Sequence, residues 1–149
     1  MIRISMVPKD LLHTCWDQIE SFLADAAEYT YGRYTVDDIS NCITDYDHHL
    51  WVAYRVTDTG PIFYGAVVTA FAIYPRKKML AMHFIGGIDG YRWKSPMLGT
   101  LRLWAKDNNC DGIESIGRLG WAKIFKDDGY TQLGAMYELP IEGDVNGNG

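Results

Sequence analysis

Between His49 and Ile85 the chain reads as three strand-forming runs divided by two compact turn clusters, and this stretch constrains the fold most. His49 to Val56 is the first run, and Asp58-Thr59-Gly60-Pro61 is the turn after it. Ile62 to Tyr74 is a long second strand in which Gly65 marks a bulge or a close backbone approach. Pro75-Arg76-Lys77-Lys78 turns the chain again, and Met79 to Ile85 returns. Three strands joined by such short turns make an antiparallel meander.

The flanks supply helices. Met1 to Val7 alternates apolar and polar residues as a first strand does. Pro8 then opens a helix expected to run to about Tyr29, because Leu11, Leu12, Cys15, Trp16, Ile19, Phe22, Leu23 and Ala26 form one broad stripe at helical spacing. Thr35 followed by Asp38 has the form of a capping box, with Asp a weaker partner than Glu, and a short helix to about Thr44 follows. Beyond the meander, a loop from Gly86 to Lys94 leads to Ser95-Pro96, which places Ser at an N-cap and Pro at N1. That helix carries Met97, Leu98, Leu101, Leu103 and Trp104 and stops near Asn108-Asn109. Gly112 to Ile116 reads as a short buried strand and Leu119 to Asp128 as a fourth helix with an αL cap at Gly129. Tyr130 to Leu139 reads as a last strand, ended by Pro140. Residues 1–140 are expected to form a single domain and 141–149, rich in Gly and Asn, a flexible tail. The order is β-α-α-β-β-β-α-β-α-β. It describes a mixed α/β fold, antiparallel in its first half and with a right-handed parallel β-α-β crossover in its second.

Composition narrows the function classes. No apolar run reaches the ~18 residues of a membrane span, and no basic segment leads into an apolar stretch at the N-terminus. Cys15, Cys42 and Cys110 are odd in number and far apart, which points to free thiols in a reducing compartment such as the cytoplasm. The net charge of −5 argues against general nucleic-acid binding, yet the charge is uneven. Residues 1–70 hold 4 Lys/Arg against 10 Asp/Glu, whereas residues 71–126 hold 10 against 4. A basic second half suits an anionic ligand such as a phosphorylated cofactor, or is simply a set of solvated faces.

The stretch from Trp104 to Glu114, followed by Arg118 to the Gly129-Tyr130 pair, places a helix ending in a polar turn, a strand, and a short helix closed by Gly and an aromatic. In this order the chain resembles the GNAT N-acyltransferase superfamily over about residues 1–140, and in size it is similar to small GNAT-like proteins of tailed phages. The resemblance implies direct attack of a small-molecule or peptide amine on acetyl-CoA. The family's R/Q-x-x-G-x-G/A loop cradles the cofactor pyrophosphate on backbone N–H groups at a helix start. The matching segment here runs from Arg92 to Gly99, so the resemblance assigns cofactor contacts to Arg92, Lys94, Ser95, Met97, Leu98 and Gly99, and also to Arg118. The loop's glycines are absent and Pro96 removes one donor, for which Arg92 and Lys94 compensate by charge. The family tyrosine that protonates the departing thiolate corresponds to Phe125, which has no proton to give. These departures leave a second reading open, a catalytically degenerate binding or structural protein with a protein partner.

His83 is the only ionisable side chain within the returning strand, and a pKa near neutrality suits a base; a half-buried sheet histidine with a structural bond has the same sequence. Glu114 on the next strand is the second candidate, against a solvated role. His48 and His49 are adjacent in an extended run, so they face opposite sides and do not easily share a metal. Cys110 follows a helix C-terminus, where the dipole disfavours a thiolate nucleophile. Tyr29, Tyr31 and Tyr34 offer an aromatic wall for an amine or a local packing cluster. Trp93 and Trp121 either stack on an adenine or plug the cleft.

Overall fold

The computed structural model describes residues 1–116 and 128–141. Five strands form one sheet in the order β1 (Arg3–Val7), β2 (His49–Thr57), β3 (Gly60–Ile73), β4 (Lys78–Gly87) and β5 (Gly112–Ser115). The first four are antiparallel neighbours and β5 runs parallel to β4, the mixed topology expected from the element order. Strand alternation then sorts the apolar side chains onto two faces. Leu50, Val52, Ala66, Val68 and Phe84 face one helical layer; Trp51, Ala53, Val67, Leu80 and Met82 belong to the opposite core.

The first layer holds α1 (Trp16–Glu28) and α2 (Val36–Asp45). Ile19, Leu23, Ala26 and Ala27 recur on one face of α1 and are buried. The helix begins later than Pro8. Residues Lys9–Thr14 form a 3₁₀ segment, and Cys15 leaves helical geometry at φ −128°, ψ −4°. A continuous apolar stripe does not reveal that break, because 3₁₀ and α turns place neighbours on nearly the same side. Gly86 lets α1 lie directly on the sheet, since a Cβ there would overlap the Phe22 carbonyl. The capping box of α2 is complete: Asp38 N–H donates to Thr35 Oγ1 at 3.2 Å, and Thr35 N–H donates to Asp38 Oδ2 at 2.9 Å.

The second layer is α3 (Gly90–Asp107), with Trp93, Met97, Leu98, Leu101 and Ala105 buried against the sheet. Its start corrects the Ser95-Pro96 reading. The helix opens at Gly90, and Pro96 lies inside it, about a turn and a half in. Packing overrides the local signal here. Trp93 is fully buried, its Nε1–H donates to the Ile88 carbonyl at 2.9 Å, and a Cβ at Gly65 would overlap its ring. Losing a buried Trp costs about 3–5 kcal/mol, enough to hold the first turns in place despite a proline. Gly65 thus marks both of its expected features, because the β2–β3 register also shifts beside it, after Ala53↔Gly65.

Gly129 has φ +88°, as an αL cap requires. The rest of the expected fourth helix before Asp128 lies outside the described residues, as do most of the proposed tail residues. Tyr130 to Leu139 is not a strand of the sheet. Apart from the partly buried Tyr130, its residues are exposed, and Glu138 is held by Arg33 at 2.7 Å. Period-2 alternation licenses a strand only where a neighbouring edge accepts it.

Candidate active site

The site is set by where β4 leaves its neighbours. β5 pairs with β4 only from Met79↔Gly112 to Met82↔Ser115. The Ser115 hydroxyl donates to the Met82 carbonyl at 3.2 Å and fastens the last rung. β4 continues to Gly87, so from His83 onward its β5-facing edge carries no strand among the described residues. On its other side β4 stays with β3, but Val68 faces Phe84 while Thr69 faces Met82. His83 is therefore the extra residue of a bulge, at the point where β4 and β5 separate. Bulges commonly re-aim a side chain beside a functional site.

The His83 ring lies 5.2 Å from that of His48 and 5.9 Å from that of Phe84. Tyr34, from the loop between α1 and α2, meets Phe84 edge-on at 4.9 Å. His83 is solvent-exposed, with the rings of His48 and Phe84 beside its imidazole. Burial lowers the His83 pKa most, positive charge on His48 lowers it further, and Glu114 opposes both. Glu114 sits on β5 opposite Ala81 and accepts the Tyr74 hydroxyl at 2.6 Å. The two sequence candidates for a base thus lie on neighbouring strands, His83 at the parting and Glu114 tied to a tyrosine. Of the three loop tyrosines, all solvent-exposed, Tyr34 meets this cluster through the Phe84 ring.

His49 turns away from His48, as adjacency predicted. Its Nδ1 lies 2.9 Å from Thr69 Oγ1, the same oxygen that accepts Trp51 Nε1–H at 2.9 Å, and its ring meets Phe71 and Trp104. Burial lowers its pKa first and His48 adds to that. The Cys110 thiol is pushed up, by burial first.

The residues matched to a phosphate loop occupy α3 instead. Arg92 is exposed in its first turn, with its guanidinium 5.8 Å from the Tyr64 ring centre. Lys94 Nζ pairs with Asp128 at 3.4 Å, and Arg102 donates to the Asp128 carbonyl at 2.8 Å. Ser95 and Gly99 are exposed within the helix, and Met97 and Leu98 are core residues. Interior helical N–H groups are used by the helix itself. Trp93 fills the space beside Gly65 and is not presented for stacking. Arg118, Trp121 and Phe125 lie outside the described residues.

Sequence reasoning missed three residues at the parting: His48 as a neighbour of His83, Ser115, and Tyr130. The Tyr130 hydroxyl donates to Met82 Sδ at 3.2 Å, and burial raises its pKa to about 12, so it stays protonated at neutral pH. The Gly-aromatic ending was the only visible signal for it. His48 and Ser115 reach the site through long-range pairing that no local pattern encodes.

A five-stranded mixed sheet whose fourth and fifth strands part, with two helices on one face and one on the other, is the GNAT-type fold. Ribosomal-protein-alanine N-acetyltransferase from Brucella melitensis shares it with a TM-score of 0.68 and 13% identity, over 95% of this chain and 99% of that one. A predicted acetyltransferase of Clostridium acetobutylicum, solved with acetyl-CoA, aligns at 0.64 and 13% identity over 94% and 96%. An aminoglycoside N-acetyltransferase in complex with CoA aligns at 0.61 and 11% identity over 95% of each chain. No protein-family model matches the sequence, and no curated protein matches it. No helix among the described residues is long and apolar enough to cross a membrane.

Proposed function

We propose that this chain transfers an acetyl group from acetyl-CoA to the amine of a small molecule or peptide. The observation that carries the reading is the bulged His83 at the parting of β4 and β5, in a fold that acetyltransferases share. The residues present fit the cofactor. The edge of β4 from His83 to Gly87, which no strand pairs with among the described residues, offers backbone N–H and C=O groups to an amide-containing chain. The start of α3 at Gly90, with Arg92 exposed beside it, offers N–H groups and positive charge to phosphate. When bound, acetyl-CoA supplies the activated acyl group. His83 removes a proton from the acceptor ammonium, and its lowered pKa keeps it neutral and able to accept at pH 7. Tyr34, exposed and backed by the buried Phe84 ring, offers an aromatic face to the acceptor, and Glu114 adds attraction for a cation. Residues 1–140 act as the working domain, and free Cys15, Cys42 and Cys110 suit the reducing cytoplasm.

A specific observation favours a second reading, a binding module without turnover. Lys94, one of the two cations set for phosphate, is paired with Asp128. Phe125 in place of an acidic hydroxyl supports the same view, as does the likeness in size to small phage GNAT-like proteins, whose partner would be another protein. Calorimetry and thermal melting with acetyl-CoA, using CoA and ATP as comparators, separate the two. Saturable binding of acetyl-CoA and CoA but not ATP is expected, adding about 2.7 kcal/mol of stability at a hundredfold excess over Kd. No heat and no shift with millimolar ligand overturns the transferase reading.

A further inference from the structure

Arg55 continues the row of Trp51 and Ala53 along β2, on the side of the sheet that α3 covers. Beside it the β2–β3 register shifts: Ala53 faces Gly65 while Tyr54 faces Phe63, so Tyr64 is the extra residue of a bulge. Tyr64 and Gly65 both turn toward α3 as a result. Tyr64 joins the core on that side, and Gly65 lies against the Trp93 ring. Arg55 Nε–H donates to the Tyr64 hydroxyl at 3.2 Å. Arg92, from the first turn of α3, holds its guanidinium 5.8 Å from the centre of the same ring. The chain entering α3 is fixed there, because Ile88 N–H donates to the Tyr64 carbonyl at 2.7 Å and a Cβ at Gly87 would overlap that carbonyl. Two cations thus share one phenol. The Arg55 hydrogen bond lowers the Tyr64 pKa most, and the charge of Arg92 adds to it. Among the described residues no carboxylate lies within ion-pair reach of either guanidinium, and Asp89 acts on Arg92 from farther away.

We propose that Arg55, Tyr64 and Arg92 form a binding site for a phosphate-type oxyanion. The Tyr64 hydroxyl accepts from Arg55, so its own proton is left to donate. Arg55 keeps the terminal N–H groups of its fork, and Arg92 brings a second fork. Three donor groups with two positive charges suit a tetrahedral dianion, whereas a carboxylate is satisfied by one fork. A dianion between the two guanidinium groups also offsets their mutual repulsion. Sheet order sets the cluster on the β3 side of β4, away from the edge that faces β5. Two sources can supply the phosphate: acetyl-CoA, reaching around the start of α3, or a separate phosphorylated ligand. In the first case the site rests on the acetyl-transfer reading, and side chains supply the contacts that a glycine-rich loop supplies from backbone. In the second it stands without that reading.

The test is NMR titration of the arginine Nε–Hε signals of the ligand-free protein with inorganic phosphate. Mildly alkaline pH keeps phosphate a dianion, and sodium chloride at equal ionic strength is the comparator. Saturable shifts of the Arg55 and Arg92 signals with phosphate but not chloride are expected. R55Q and R92Q should each weaken binding about tenfold or more, the loss of one charge-assisted contact. Y64F keeps the ring beneath Arg92, removes the hydroxyl and should weaken binding less. R55K keeps the charge without the fork and should fall between the native chain and R55Q. Arg92 is exposed, so R92Q keeps the fold and decides the matter alone if R55Q is unstable. Equal responses to phosphate and chloride overturn the site, and so does native affinity for phosphate in R92Q. Acetyl-CoA then separates the sources. Displacement of phosphate by acetyl-CoA, with weaker acetyl-CoA binding to R55Q, assigns the site to the cofactor. Phosphate affinity unchanged by acetyl-CoA assigns it to a separate ligand. A chain that binds phosphate at these residues but shows no acetyl-CoA binding keeps the site while the transferase reading fails.

Discussion

Thr69 is the fully buried polar side chain of the described core, and its hydroxyl serves two partners at once. It accepts the Trp51 indole N–H, and its own proton is available to a neutral His49 Nδ1, the state that the lowered His49 pKa favours. Thr69→Val keeps the shape and removes both bonds. A buried Trp51 N–H then has no acceptor, and the expected cost is about 1–3 kcal/mol. For a domain of this size that is a drop of several degrees in Tm, measured by calorimetry. A Tm unchanged within a degree or so would mean that water takes the place of the hydroxyl. The variant also releases the His49 ring, so its imidazole signal in NMR should report a change of tautomer or orientation.

The start of α3 shows how a strong local signature can mislead. Ser95-Pro96 has the residue types of an N-cap and N1, whereas the actual N-cap, Asp89, lies in the αL region and makes no side-chain cap bond. What holds the first turn is the seat of Trp93 against Gly65 on β3, a contact nearly thirty positions away in sequence and invisible to any window. Pro96→Ala distinguishes the two arrangements. Inside a helix, alanine restores an N–H for the Arg92 carbonyl and relieves the ring clash, so stability should rise by up to about 3 kcal/mol. At N1 the same change would lower stability slightly, and chemical denaturation decides between them. The capping box of Thr35 and Asp38 was legible because both partners lie within one turn. The meander was legible because its turns are composed of turn residues. The 3₁₀ break at Cys15 and the course of Tyr130 to Leu139 outside the sheet were not, since a spacing of apolar residues carries neither the hydrogen-bond pattern nor the presence of a neighbouring edge. Of the site, His83 and Glu114 could be picked out on their strands, while the bulge that presents His83 arises from the pairing of two strands and could not.

At the scale of the whole molecule, two of the described histidines resist protonation in the fold. His49 and His83 have folded-state pKa values below the ordinary 6.5, chiefly through burial. As pH falls below that ordinary value, the unfolded chain binds protons that the folded chain resists. Their contribution is therefore complete above about pH 6.5 and is lost as pH falls through the folded values. Thermal melts between about pH 8 and pH 5 should show Tm declining on the acid side, with a shallower slope in a double variant, His49→Gln with His83→Gln. An identical slope would place the acid sensitivity in the carboxylates instead. The exposed Lys9–Asp47 and Arg33–Glu138 pairs should add little in physiological salt. The aromatic knot beneath α3 has an optical consequence. The Trp51 and Trp104 indoles lie 5.6 Å apart at 73°, close enough and skewed enough to share their excited states. The folded chain should therefore show a paired positive and negative band of indole origin in far-ultraviolet circular dichroism. A melt followed on that couplet would time the separation of α3 from the sheet independently of helix unwinding.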